Sequence, residues 1–445
     1  MKSKSIRNHP KQKYNNFEQI IKKISFNKHE KNSHFTQRKN KKLTGKSLLI
    51  AFIFMAMHGS NSFQLWAGQH CRINGKTVSK QAIWKRINAR FVKFLTLILT
   101  DLLQQQIRKT SKEVKKNKLS KKIKRILVQD STVITLPAWL SWCFPGNVSG
   151  GEKKSQLKIQ AIYDLIADNF VYFEITPYTD NDQSKAKDIL SIATSEDLVL
   201  RDLGYFTLDS LEKLSENNVL FISRLRYGIN IYDCKTGKQI NLLKQLKSTT
   251  GKFDQWVLIG EKKKVKVRLV VLRLPEEKAN LKRRAAKLNR DKRLNHSKEY
   301  YQMLDYLLFI TTEDQETFSP LQIAQIYQLR WRIEIIFKCW KSNFHIQRLI
   351  PRGCSLTKER TEAIIYMMLI FILLFQVHTY INVLTATAKI KDGSISLYKL
   401  CQFIADNIDL FFEHNIRKLL PQIIYYCKYD KRTDRKNFTQ KLILS

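Results

Sequence analysis

The sequence predicts a mixed α/β protein: a sheet-centred core, preceded by a helical N-terminal domain and interrupted by a β-rich insertion. Three observations carry this expectation. Apolar residues recur at three and four from Lys46 to about Arg108, give way to β-branched runs from Arg125, and return to helical spacing at Ser319. The middle of the chain then reads as three strands, a helix, a strand, a helix and a strand, a mixed order with an antiparallel start. Further strand-like segments of different character separate this block from the last strong helix.

Residues 1–45 are rich in Lys, Asn, His and Gln and read as a basic arm, a small helical module or a solvated tail. The segments SLLIAFIFMAM and SKQAIWKRINARFVKFLTLILTDLLQQQI have helical spacing, with Lys85, Arg86, Arg90 and Lys93 between the apolar positions. That pattern suits a DNA-binding helical domain and equally an amphipathic helix with a solvated basic face. Residues 1–115 are therefore expected to form a basic helical N-terminal region, ending in the charged linker Lys112 to Arg125.

Residues 116–226 form the first part of the core. RILVQDSTVITL is a strand, and LKIQAIYDLIADNFVYFEITPY is two strands around the turn Ala167-Asp168-Asn169. SKAKDILSIATS is expected to be helical, EDLVLRD a short strand, TLDSLEKLSENN a helix capped by its Thr, and VLFISRLRY a strand. In the insertion, 227–316, QINLLKQL, QWVLIG, KVKVRLVVLRLP and YLLFITTE are expected as strands around the basic stretch Lys278 to Lys298. The core resumes over 317–385. A helix should begin at Ser319-Pro320, with Ser as cap and Pro in its first turn, and run through Phe344. Residues 386–445 are read as a helical C-terminal region.

Charge narrows the function. The 445 residues carry 79 Lys plus Arg against 38 Asp plus Glu, a formal net charge of +41, which favours a polyanionic partner. A membrane surface is the weaker of the two usual candidates. The most apolar run, Ala363 to Phe375, falls short of the roughly 20 residues of a spanning helix and reads as a buried one. The basic N-terminus has no following apolar stretch, so no secretory signal is read and a cytoplasmic protein is expected. Seven scattered cysteines without a C-x-x-C pair argue against a disulfide framework and a zinc site.

The strong helix carries the sharpest chemical signal. Tyr327, Arg330, Glu334, Lys338 and Lys341 are spaced so that, at about 100° per residue, they share an arc of roughly 80°. Ile326, Leu329, Ile333, Ile336, Phe337 and Trp340 fill the other faces. The stripe can be no more than i, i+4 ion pairs. It can also place a cation-binding carboxylate among groups that hold phosphates, which a metal-bound phosphodiester requires.

The pattern Y-x-x-R-x-x-x-E-x-x-x-x-x-x-K, filled by Tyr327, Arg330, Glu334 and Lys341, resembles the signature of the insertion-sequence transposases of the family numbered four, a DDE-type group. The surrounding YQLRWRIEIIFKCWKSNF is similar to that family beyond the four positions. Two upstream aspartates fit the same resemblance. Asp130 interrupts the apolar strand ILVQDSTVITL; Asp202 ends a strand before Gly204-Tyr205-Phe206 and resembles the family's D-x-G-Y-F element. Arg201 departs from the small or apolar residue often found before this Asp. Read alone, Asp202 could be a turn or cap aspartate and Asp130 a strand-edge charge. Asp164, Asp168, Asp180, Asp182 and Asp188 are expected to be surface charges.

The resemblance implies a ribonuclease-H-like core in which Asp130, Asp202 and Glu334 bind metal and catalyse cleavage at element ends and strand transfer into target DNA by a cut-and-paste route. It implies Mg²⁺ or Mn²⁺ as cofactor, with two ions, and Tyr327, Arg330, Lys338 and Lys341 as DNA-binding residues. The expected partner is double-stranded DNA, terminal inverted repeats and target, engaged by a homodimer in the synaptic complex, with the protein nucleoid-associated. The long interval between Asp202 and Glu334 fits the family's β-rich insertion. Trp256 and Tyr306 lie in that insertion; Tyr306 sits in LDYLLFITTE, which resembles the family's base-stacking segment, although core packing is the better account of it. A ribonuclease-H-like nuclease without strand transfer, or a non-catalytic DNA-binding relic, would share much of this pattern.

Overall fold

The computed structural model of the chain describes residues 21–36, 42–112, 123–149, 151–249, 253–288, 297–351, 356–387, 395–414 and 416–429. Most of the basic linker and the very basic stretch beyond residue 288 lie outside them.

Ten strands form one mixed sheet: β1 (Arg125–Leu136), β2 (Pro145–Ser149), β3 (Glu152–Asp164), β4 (Asn169–Pro177), β5 (Asp197–Arg201), β6 (Leu220–Arg224), β7 (Ile231–Asp233), β8 (Phe253–Ile259), β9 (Val265–Arg273) and β10 (Tyr306–Thr311). Its centre runs β4-β3-β1-β5-β6. β3 is antiparallel to β1 and β4, while β5 lies parallel to both β1 and β6. Three antiparallel strands followed by two parallel ones make the mixed sheet of a ribonuclease-H-like core. Beyond β6 the same sheet continues through β10, β9, β8 and β7, all antiparallel, so the insertion extends an edge instead of building a second sheet.

Pleating assigns the faces. Ile126, Val128, Leu198 and Leu200 pack on one side with the N-terminal and C-terminal helices; Leu127 and Val199 pack on the other with the insertion. Asp130 and Asp202 continue the parity of the first set.

On that first face lie α1 (Phe26–Asn32), α2 (Gly45–Met57), α3 (Phe63–Asn74), α4 (Lys80–Arg86) and α5 (Ala89–Lys112). The short helices start at hydroxyl caps: Thr44 makes a capping box with Ser47, and Ser62 and Ser79 each accept a backbone N–H. α6 (Leu208–Glu216) and α7 (Leu242–Ser248) cover the opposite face, and α8 (Glu276–Lys287) and α9 (Lys298–Met303) precede β10. The helices of the returning core are α10 (Pro320–Gln328), α11 (Trp331–Ser342), α12 (Lys358–Phe375) and α13 (Ile381–Thr387); α14 (Leu397–Asp406), α15 (Ile408–Glu413) and α16 (Ile416–Tyr426) follow.

The Ala363–Phe375 run lies within α12, where every residue from Met367 to Phe375 is buried. No described helix is long and apolar enough to cross a membrane. All six described cysteines are free, and Cys354 lies outside the described residues.

Four sequence expectations change. SKAKDILSIATS is a series of turns with one 3₁₀ helix, Asp188–Ser191, because the Lys185 and Ala186 carbonyls accept side-chain donors, Gln129 Nε2 (2.8 Å) and Arg201 Nη2, from the sheet. QINLLKQL is the helix α7, started by Asn241, whose side chain accepts from Lys244 N. The helix from Ser319 is two helices: Leu329, Arg330, Arg332 and Ile333 each donate to the carbonyl three residues back, a 3₁₀-type tightening between α10 and α11. Finally, the acids expected at the surface are not surface charges. Asp164 is fully buried, capping the turn amides of Ile166 and Ala167, and burial pushes its carboxyl up to about 7. Asp168, Asp180, Asp182 and Asp188 are half-buried, and Asp168 accepts from Tyr163 (2.9 Å) and pairs with the buried Arg332 (3.6 Å).

Candidate active site

Strand register sets the two aspartates side by side. In the parallel β1–β5 ladder Gln129 pairs with Arg201, so the next residue on each strand, Asp130 and Asp202, falls at the same level on the same face. Across the antiparallel ladder Asp130 meets only the small Ala161, which leaves room above it. Asp202 leaves the sheet as the cap of the 3₁₀ turn Leu203–Tyr205, accepting from Gly204 N (3.4 Å). Before it, Arg201 is fully buried and donates to Ser210 Oγ, Gln129 Oε1 and the Ala186 carbonyl; the unusual residue at this position is a tie between β5, β1 and the turns after β4.

The third carboxylate arrives on α11. Trp340, 1% exposed, anchors this helix against Phe170 and Phe173 of β4 at centroid distances of 5.2 and 5.9 Å, and packs on Phe337 of its own helix at 5.0 Å. Ile333, Ile336 and Phe337 complete the buried face. The tightened turn at Arg330 makes Glu334 part of the first turn of α11, where the helix dipole favours a negative charge.

Arg330 joins the three acids. Its guanidinium lies 2.6 Å from Glu334 Oε1, 3.5 Å from Asp130 Oδ2 and 3.7 Å from Asp202 Oδ1. The i, i+4 pair read from the sequence therefore exists, and the same cation also faces both sheet aspartates. Burial pushes the Asp130 carboxyl up to about 7, against the pull of the Ser131 amide and Arg330, while Asp202 and Glu334 push further in the same direction. Below Arg330, Tyr327 is buried against Phe309 (5.2 Å), and burial raises its phenol to about 12.

These groups open into a groove of about 480 Å³ lined by Asp130, Ser131, Thr132, Asp202, Arg330, Glu334, Phe337, Lys338, Lys341 and Ser342. Six of the seven site residues expected from sequence line it; Tyr327 is the exception and supports Arg330 from beneath. Lys338 is exposed, 5.6 Å from the Tyr398 ring, and burial lowers the Lys341 ammonium.

Two cations on the far side of Asp202 went unread in the sequence. Arg224, at the end of β6, lies over Phe309 (5.7 Å), and its Nε is buried without a hydrogen-bond partner among the described residues. Lys282 on α8 is lowered to about 8 by burial and by Arg224. Both line a second cavity of about 350 Å³, with Leu203, Tyr227, Tyr300 and the half-buried Tyr306. Nothing local marked Arg224, because its proximity to Asp202 depends on β6 lying beside β5.

Carboxylate oxygens are the donors that Mg²⁺ or Mn²⁺ take, so the donor set fits a hard divalent cation. As the side chains lie, no group of three His, Cys, Asp or Glu among the described residues is close enough to hold an ion, with Arg330 standing between the acids.

Residues 121–374 match the family described as "Transposase DDE domain". The chain belongs to that family. Among curated relatives, the transposase for insertion sequence element IS231F of Bacillus thuringiensis subsp. israelensis is 29% identical over 431 residues, covering 90% of this chain and 88% of that protein. The transposase of IS231C from B. thuringiensis subsp. berliner is 27% identical over 426 residues, covering 91% and 87%. That of IS1151 from Clostridium perfringens is 30% identical over 347 residues, covering 73% and 72%. The protein is thus a DDE transposase of the insertion-sequence type, an enzyme that acts on DNA and belongs to a divalent-metal-dependent family.

Proposed function

We propose that Asp130, Asp202 and Glu334 are the catalytic, metal-holding triad of this transposase, and that it cuts at element ends and joins them to target DNA by a cut-and-paste route. The reading rests chiefly on one observation: three carboxylates from β1, β5 and α11 converge on a single guanidinium in a groove that also carries Lys338 and Lys341. Burial raises the Asp130 carboxyl, and the mutual repulsion of the three acids raises it further. Mg²⁺ or Mn²⁺, as two ions, would relieve that repulsion, held by Asp130, Asp202 and Glu334. Bound there, such ions supply activation of the attacking oxygen and stabilisation of the leaving 3′ oxygen.

The protein's own groups do the rest. Lys338 and Lys341 hold end phosphates along the groove, and Arg330 exchanges a carboxylate for a phosphate, a substitution its planar fork permits. Tyr327 fixes Arg330 from below. The half-buried Tyr306 and the cations Arg224 and Lys282 give the neighbouring cavity the character needed to receive an unpaired nucleotide during a hairpin step. The partner is double-stranded DNA, as terminal inverted repeats and target, bound by a homodimer in the synaptic complex. The protein acts in the cytoplasm, associated with the nucleoid.

The decisive experiment uses a terminal-repeat duplex and Mn²⁺. Asp130→Ala, Asp202→Ala and Glu334→Ala should each abolish cleavage while retaining DNA binding. Cleavage by any one of them removes that residue from the triad, and strand-transfer products from the parent protein separate a transposase from a nuclease.

A further inference from the structure

On the sheet face opposite Arg330, directly behind Asp130, a fourth acid ties the two sheet aspartates together. Asp182 follows β4 and is held by three donors from two strands: Ser131 Oγ on β1 and Lys158 Nζ and Gln160 Nε2 on β3, each 3.1 Å from Asp182 Oδ1. Lys158 is buried and also donates to the Asp180 carbonyl (2.9 Å). Gln160 in turn accepts from the Tyr205 hydroxyl (2.5 Å), and Tyr205 is buried in the turn that Asp202 caps. The other carboxylate oxygen of Asp182 faces the same turn. A Cβ built on Gly204 would stand 3.5 Å from Asp182 Oδ2 and 3.7 Å from Asp202 Oδ2.

The network therefore contacts the chain one residue after Asp130, at Ser131, and two and three residues after Asp202, at Gly204 and Tyr205. Backbone pairing holds β1 and β5 together from Arg125 and Asp197 as far as Gln129 and Arg201. Beyond that pair the strands diverge into a turn, and side chains must fix how far apart the two carboxylates stand. Asp182 is placed to do this.

We infer that Asp182 is a positioning residue for the cleavage reaction: through Ser131, Gln160 and Tyr205 it sets the separation of Asp130 and Asp202 and so their joint affinity for a divalent cation. This rests on the triad assignment above. It also gives the Tyr after Asp202 a physical task, since its hydroxyl reaches the network through Gln160.

The test uses the full chain, with the parent protein and Asp130→Ala alongside. If the parent does not cleave, or Asp130→Ala does, the triad reading has failed, and that outcome is distinct from anything Asp182 does. Given an active parent, three quantities are measured for Asp182→Ala and Asp182→Asn: cleavage rate of the terminal-repeat duplex, affinity for that duplex in chelator, and Mn²⁺ affinity without DNA by calorimetry. Misplacing a reacting group by about 1 Å loses on the order of 10²-fold in rate, so Asp182→Ala should cleave roughly 10–100-fold slower and bind Mn²⁺ at least several-fold more weakly, with duplex affinity within about twofold of the parent. Asp182→Asn keeps an acceptor for Ser131 and Gln160 and should recover part of both losses. Unchanged Mn²⁺ affinity, or a loss of duplex affinity in step with cleavage, overturns the inference. Should Asp182→Ala fail to fold because Lys158 loses its partner, Ser131→Ala and Tyr205→Phe decide the matter: each removes one hydroxyl, and both leaving Mn²⁺ affinity unchanged would overturn it as well.

Discussion

Replacing Asp130 by Asn should stabilise the protein while removing its activity, and the gain should depend on pH. The Asp130 side chain is 18% exposed, and burial raises its carboxyl from the ordinary 3.8 to about 7. Each unit corresponds to about 1.4 kcal/mol, so the charged carboxylate burdens the folded state by at most about 4 kcal/mol above pH 7. Water in the groove and relaxation of Arg330 reduce this to roughly 2–3 kcal/mol. The sign follows from the raised value. Below about pH 4 both folded and unfolded chains hold the proton and the burden is absent. Between 4 and 7 only the folded chain holds it, so stability falls steadily as pH rises; above 7 the full burden remains. Asn imitates the protonated acid and can still accept from the Ser131 amide. Thermal unfolding of parent and Asp130→Asn in chelator should therefore show a gap at pH 8 larger than that at pH 5 by about 2 kcal/mol, a few degrees in Tm. An equal gap at the two pH values, or a variant less stable than the parent at pH 8, would refute the reasoning.

Other consequences are as direct. Arg332 is buried between Asp168 and Tyr380, so Arg332→Met leaves a half-buried carboxylate unpaired and should cost about 3–5 kcal/mol in denaturant unfolding, part of it restored by adding Asp168→Asn. Lys338→Ala and Lys341→Ala should each lower the slope of log affinity against log salt by about 1, measured on the terminal-repeat duplex and on an unrelated duplex alike. Trp340→Ala empties the contact with Phe170 and Phe173 and should cost roughly 3–5 kcal/mol, detected as a lower unfolding midpoint.

The strands of the core were legible because β-branched and apolar runs such as RILVQDSTVITL and EDLVLRD have no competing period, and β1 and β5 span those residues. The helix at Leu208–Glu216 was equally plain, since Thr207 caps it. Failures came where tertiary contacts outweighed local pattern. Residues 184–195 have helical spacing, yet Gln129 and Arg201 reach across from the sheet to take their carbonyls. QINLLKQL has enough Ile and Leu for a strand, and a single Asn cap decides otherwise. The polar stripe around Glu334 could be read from spacing alone, whereas Asp182 could not: its donors come from β1 and β3, whose approach to the turn after β4 no local window contains. Arg201 was read as a blemish in a motif and is a buried tie.

The packing of α5 against α12 has a consequence for how this chain can be divided. Ile98, Leu99 and Leu102 of the N-terminal helix belong to the same apolar body as Met367 through Phe375, and that body also holds Ile126 and Val128 beside Asp130. A product of internal initiation or proteolysis that began near residue 113 would expose the apolar Ala363–Phe375 run of α12 to water. It would aggregate before it could fold as a separate protein. For this protein, the segment that carries the basic helices and the segment that carries the chemistry stand or fall together.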